Sequence, residues 1–270
     1  MILDTILAHK RVEIAQLDPV ELRRRAADTQ KPLDFLAALR PEQREDPPRL
    51  IAEIKRASPS RGVLFSNVDP VELAGIYAAG GAAAISVLTD QKFFYGSIDI
   101  LRRVRAVCAL PLLRKDFIID PAQVYEARAI GADAILLIVA ALPIDSHMCD
   151  LHALALELGL TPLVEVHNRA ELDRALRLDP KLIGINNRDL QTFTVSLATT
   201  AALRPLIREG TVVVSESGIS TPQHMDHMAA LSVDAVLVGE ALVTAPDIGA
   251  KVRELTRQSA PVGAAEGIGS

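Results

Sequence analysis

The stretch "LPLLRKDFIIDPAQVYEARAIGADAILLIV", residues 110–139, holds one complete structural repeat, and its reading decides the fold. An apolar run over 110–117 leads through Asp120–Pro121 into a helical pattern, and a second apolar run follows at 133–139. Asp before Pro is a helix start, because the carboxylate caps free backbone N–H groups and proline fits the first helical position. Both apolar runs are short and nearly continuous, as expected of parallel strands buried on two faces and joined by a crossover helix.

The same unit recurs outward from this stretch. Runs of strand type stand at 50–55, 82–88, 110–117, 133–139, 161–167, 181–187, 211–217 and 234–240, eight in all, beginning roughly 20 to 30 residues apart. Helical patterns such as "DPVELAGIYAAGGA" and "NRAELDRALRLDP" lie between them. Eight strand–helix repeats predict a (β/α)8 TIM barrel. A doubly wound sheet competes, but it usually needs fewer strands and a glycine-rich turn after its first one, and no GxGxxG is present.

Residues 1–49 fall outside the repeat and read as an N-terminal helical extension, with apolar residues at helical spacing in "ILDTILAHKRVEIAQL". Periodicity leaves two placements open, a plug under the barrel or a lid over its mouth. Extension and barrel are expected to form one domain over 1–258, and the small, unpatterned residues 259–270 a disordered tail.

Composition excludes several classes. The 29 basic residues are scattered among 34 acidic ones, for a net charge of -5, so no nucleic-acid partner is expected. Cys108 and Cys149 have no metal-ligand spacing and fit reduced thiols in a cytoplasmic protein. The most apolar run, 134–144, is too short to span a bilayer, and charge breaks the apolar pattern of residues 1–11, so neither a membrane segment nor a signal peptide is expected. The six histidines are dispersed, so no metal is expected. A monomer is the expectation, with a weak homo-oligomer as the alternative.

Barrel enzymes react substrate at the carboxyl ends of their strands, so charges there carry the functional information. Glu53 and Lys55 are two apart on the first strand and share a face; Lys115 ends the third, Glu165 the fifth, Asn186 the sixth and Glu216 the seventh. Any one of them taken singly reads equally as a structural ion pair. Together, two lysines and two carboxylates converging from three strands suit proton transfer better than core stability. A lysine crowded by low dielectric and another cation loses basicity and a desolvated carboxylate gains it, so both are expected to titrate nearer neutrality. Gly218 and Gly239, just past the last two strands, each read singly as turn glycines but together are expected to mark a phosphate site built from backbone N–H groups, and bulk at Gly239 is expected chiefly to raise KM. Glu240 beside it conflicts with an anion unless its side chain turns away. Ser58 reads equally as a turn residue or a ligand contact.

"IAEIKRASPSRG" (51–62) closely resembles the signature of the indole-3-glycerol phosphate synthase family. "SVLTDQKFFYGS", "LLRKDFIIDPAQVYEARAIGADAILLI", "PLVEVHN", "IGINNRDLQTF" and "SESGI" extend the resemblance, in order, through all but the C-terminal tail. The resemblance implies a barrel whose extension lies near the active site. It also implies decarboxylating, dehydrating ring closure of a carboxyphenylamino deoxyribulose phosphate, without a cofactor. By motif, Lys115 is the implied general acid, Glu165 its acid/base partner and Glu53 the stabiliser of a cationic intermediate. Lys55 is left as a partner of Glu53, a contact to the substrate carboxylate, or a second acid. Asn186 and Glu216 match active-site positions, Arg188 a loop near the ligand, and Ser217, Gly218 and Gly239 the phosphate site, with Ser58 alongside the substrate. Phe94, Phe117, Leu137 and Leu190 are expected to wall the aromatic ring, core packing being the alternative for each. Rival readings are the isomerase of the preceding step, whose family resembles a Cys/Asp pair instead, and a non-catalytic phosphosugar-binding barrel, which has no need of four converging charges.

Overall fold

Each apolar run forms a strand, and all eight pair in parallel. In the computed structural model they are β1 (Arg49–Ile54), β2 (Ala84–Leu88), β3 (Leu112–Lys115), β4 (Ala134–Ile138), β5 (Thr161–Val166), β6 (Leu182–Asn186), β7 (Val212–Glu216) and β8 (Ala235–Val238). The order follows the chain, and β8 pairs with β1 to close the barrel, Arg49 opposite Ala235 and Ala52 opposite Val238. The structure describes residues 2–43, 46–58, 62–63 and 68–258, with only the backbone of Ser58 and Val63. The proposed tail at 259–270 lies outside the described residues.

Burial on both faces explains why the strands do not alternate in sequence. Leu50, Ala52, Ile85, Val87, Ile135, Leu137, Ile183 and Ile185 face the surrounding helices, whereas Ile51, Ala84, Leu113, Leu136, Leu163, Leu182, Val214 and Leu237 fill the barrel. The crossover helices begin as their sequences predict. Asp69, Asp120 and Asn168 accept hydrogen bonds from first-turn N–H groups of α4 (Pro70–Ala79), α6 (Pro121–Ala129) and α8 (Arg169–Ala175).

The extension both lids and plugs the barrel. Helix α1 (Ile2–Ile14) crosses the mouth with Ile2, Leu3 and Ile6 against the central cavity. Its Lys10, 2% exposed, reaches Asp90 after β2 at 3.0 Å and Asp116 after β3 at 2.9 Å. Helix α2 (Pro19–Asp28) descends along α6, Arg23 lying 5.0 Å over the Tyr125 ring. The Leu33 N–H then donates to Asp133 at the base of β4, and α3 (Phe35–Ala38) brings Phe35 and Leu39, both fully buried, into the lower barrel.

Candidate active site

Following the inward face up each strand leads to the site. Ile51 is succeeded by Glu53 and Lys55, Leu113 by Lys115, Leu163 by Glu165, Leu182 by Gly184 and Asn186, Val214 by Glu216, and Leu237 by Gly239. An apolar residue fills the barrel at the lower level and a polar or small one stands at the mouth, around a cavity of about 500 Å³. That volume suits a small-molecule ligand.

Lys115 joins the cluster: its Nζ lies 3.2 Å from Glu216 Oε2 and 3.4 Å from Glu165 Oε2. Lys55 Nζ is 3.5 Å from Glu53 Oε2 and 5.9 Å from the Phe94 ring centroid. Phe94 and Phe117 stack at a tilt, centroids 6.0 Å apart, on the same wall. Asn186 Oδ1 accepts from the Ser217 hydroxyl at 2.9 Å and the Arg188 N–H at 3.0 Å. The loop after β6 folds back with Arg188 opposite Val195, bringing Arg188, Leu190, Phe193 and Val195 to the cavity.

The electrostatics differ from the sequence expectation. Burial opposes a charge on Lys115, but Glu216, Glu165 and Glu53 outweigh it and raise its pKa above the ordinary lysine value. Its ion pairs are with carboxylates, and Lys55 faces Glu53. Burial likewise favours a protonated Glu165, yet Lys115, His167 and Asn186 together lower its pKa. Increased basicity falls on Glu216, which burial and the neighbouring Glu165 charge push up to about 8 against the pull of Lys115. Among the described residues neither Glu216 oxygen has a well-aligned hydrogen-bond donor, and Lys115 holds it chiefly by charge.

The loops after β7 and β8 supply the other end of the cavity, which Ser217, Gly218, Gly239 and Glu240 line together with Ser220 and Thr244. Ser217 and Gly218 both have positive φ, 67° and 84°, consecutive left-handed residues that turn the backbone sharply just beyond β7. A side chain at Gly218 would also meet Val195 Cγ1 at 2.7 Å. Gly239 precedes the short helix α11 (Glu240–Val243). A Cβ at Gly239 would collide with Glu53 Oε2. Glycine there therefore makes room for a carboxylate, which the sequence reading, aimed only at phosphate, did not foresee. Gly184 clears space for Glu216 Oε1 in the same way.

Leu137 is a correction. It is fully buried among the helix-facing residues, and its neighbours Leu136 and Ile138 line the cavity, because side chains alternate along a strand. Ser58 lies in a short hairpin of Ala57–Ser58 with Gly62–Val63, and its side chain is outside the described part. Sequence reasoning also passed over His167, whose Nε2 is 3.3 Å from Glu165 Oε1, and Ile2, Leu3 and Ile6 of the lid. The signals were present: His167 directly follows a strand-end carboxylate pattern, and the lid residues share one helical face.

A closed barrel with this acid–base cluster inside its mouth defines a (β/α)8-barrel enzyme. The fold is shared with the solved structure of thiamine phosphate pyrophosphorylase from Pyrococcus furiosus, at a TM-score of 0.58 and 19% identity, over 79% of this chain and 96% of that one. The family model for indole-3-glycerol phosphate synthase matches residues 3–255, and the chain belongs to that family. The indole-3-glycerol phosphate synthase of Roseiflexus sp. (strain RS-1) is 53% identical over 94% of this chain and 97% of its own. That of Polaromonas sp. (strain JS666 / ATCC BAA-500) is 50% identical over the same shares.

Proposed function

We propose that this chain is an indole-3-glycerol phosphate synthase, converting 1-(2-carboxyphenylamino)-1-deoxyribulose 5-phosphate to indole-3-glycerol phosphate, CO2 and water. The observation that carries this reading is Lys115, protonated between Glu165 and Glu216 and facing a cavity with aromatic rings on one side and the Ser217–Gly218 turn on the other. The phosphate would sit against Ser217, Gly218 and Gly239, and the anthranilate ring against Phe94, Phe117 and Leu190. Lys115 would give its proton to the ribulose carbonyl oxygen as the carboxyl-bearing ring carbon attacks the carbonyl carbon. The cation so formed would be stabilised by Glu53 until the C–CO2 bond breaks and returns its electrons to the ring. Departure of the new hydroxyl as water requires a second acid, and removal of a ring proton requires a base. Glu165 is placed to serve in that half of the reaction. Lys55, between Glu53 and the Phe94 ring, would hold the substrate carboxylate until it leaves.

Both cysteines are free, which accords with a reducing cytoplasm, and among the described residues no helix is long and apolar enough to cross a membrane. The test is direct: purified protein given this substrate develops indole fluorescence, and Lys115→Ala retains substrate binding without turnover. No fluorescence from the wild-type protein, or turnover by Lys115→Ala at the wild-type rate, sinks the proposal.

A further inference from the structure

His167 stands one residue beyond β5, its side chain 7% exposed and outside the cavity wall. Nε2 faces Glu165 Oε1 at 3.3 Å, off the ideal hydrogen-bond line and with no better partner among the described residues. Nδ1 is 2.9 Å from Glu171 Oε2, which also accepts the His167 backbone N–H at 2.9 Å. Glu171 is itself fixed: the Asn168 side-chain amide donates to its Oε1 at 2.8 Å, and its N–H donates to Asn168 Oδ1 at 3.0 Å as the cap of α8.

A neutral imidazole carries one N–H and one lone pair, so it would turn a lone pair on one of two carboxylates. Only the doubly protonated ring turns a positive N–H toward both, hydrogen-bonded to Glu171 and in ion-pair contact with Glu165. Burial works against that cation, but Glu165 and Glu171 outweigh it and push His167 up to about 10. Asp189, in the loop after β6, adds its charge on the same side. Glu165 is thereby held on one oxygen by Lys115 from β3 and on the other by His167, with Asn186 of β6 beside it and the Glu216 carboxyl of β7 across Lys115.

From this we infer that His167 is a positioning residue, an imidazolium anchored by Glu171 that fixes the orientation and ionised state of Glu165 from outside the cavity. The inference deepens the proposed function, since the role of Glu165 in turnover rests on that reading; its effect on the Glu165 carboxyl does not. Without the second cation, Glu165 takes up its proton at higher pH and is free to rotate away from Asn186. Turnover that needs ionised Glu165 then fails earlier as pH falls.

Carboxyl-13C-glutamate NMR of the whole chain, with Glu165 assigned through Glu165→Gln, measures this directly. In His167→Asn the Glu165 midpoint is expected to rise by about one pH unit or more, the amount one lost charge contact commonly carries. The acid limb of kcat should rise with it while KM moves less than kcat. His167→Lys, which keeps a cation, should restore both. Should His167→Asn fail to fold, Glu171→Gln decides alone, because releasing Nδ1 lets the ring go neutral and should raise the same midpoint. An unmoved Glu165 titration in whichever of these variants folds overturns the inference, even if kcat falls, since His167 would then be structural only. A wild-type protein inactive on the substrate would instead remove the functional reading and leave the NMR result to judge His167.

Discussion

Replacing Lys10 with Met probes how the lid is held. Lys10 Nζ touches Asp90 Oδ2, Asp116 Oδ1 and Glu13 Oε2 at 3.0, 2.9 and 2.7 Å. Methionine fills the same space without the charge. Asp116 keeps Arg114 at 3.1 Å and the Thr89 hydroxyl at 2.6 Å. Asp90, fully buried, keeps among the described residues only the Phe93 N–H on Oδ1 and has nothing aligned on Oδ2. Removing one partner from a buried pair costs about 3–5 kcal/mol. Because only one of the two aspartates is stranded, we expect the lower end, about 3 kcal/mol in urea unfolding at pH 7. KM should rise as well, since Ile2, Leu3 and Ile6 reach the cavity from the same helix. Asp90→Asn on the Lys10→Met background should return about 1 kcal/mol or more, having removed the stranded charge. A loss under about 1 kcal/mol with unchanged KM would refute the latch, as would strict additivity of the two substitutions. The cluster also predicts acid sensitivity. Burial opposes ionised Asp116, but Arg114 and Lys10 outweigh it and lower the carboxyl to about 2. A depressed folded-state pKa stabilises the fold above the unfolded value near 4 and is lost as pH falls through about 2, so Lys10→Met should unfold at higher pH than the wild type.

Gly239→Ala should lower kcat as well as raise KM, because the new Cβ displaces Glu53; an effect on KM alone would show that the glycine serves phosphate only. Leu137→Ala should cost about 2–5 kcal/mol in unfolding with KM unchanged, whereas Ile138→Ala should change KM; the reverse pattern would refute the assigned faces. Glu216→Gln removes the largest carboxylate field on Lys115, so the Lys115 pKa should fall and the alkaline limb of kcat move to lower pH; an unmoved limb contradicts the assignment of Lys115 as acid.

The barrel was readable because its cause is local. Each strand is apolar on both faces, and most crossover helices begin with a capping residue, such as Asp69, Asp120 or Asn168, whose geometry needs no tertiary partner. The charges at the strand ends were readable for a related reason: Lys115, Glu165 and Glu216 interrupt runs where a charge is costly. Their proton affinities were not readable, because those depend on who faces whom across the barrel. Lys115 meets Glu216 and Glu165 rather than Lys55, which reverses the direction expected of its pKa. Leu137 was misplaced because its strand is uniformly apolar and reveals no parity; pairing puts Ile138, not Leu137, in register with Glu165. Lys10 looks in sequence like any charge on an amphipathic helix, and only the packing of α1 over two βα loops buries it. The lid-or-plug question had no single answer because one segment does both, with α1 at the mouth and α3 at the base.

The central claim is that one inward-facing cluster closes a ring and expels the substrate carboxyl in the same turnover. The measurement that tests it most directly uses substrate labelled with 13C in that carboxyl and follows labelled CO2 and the indole chromophore together. Equal amounts of the two, both absent in Lys115→Ala, are predicted. Chromophore without labelled CO2, or neither product from the wild-type protein, would contradict it.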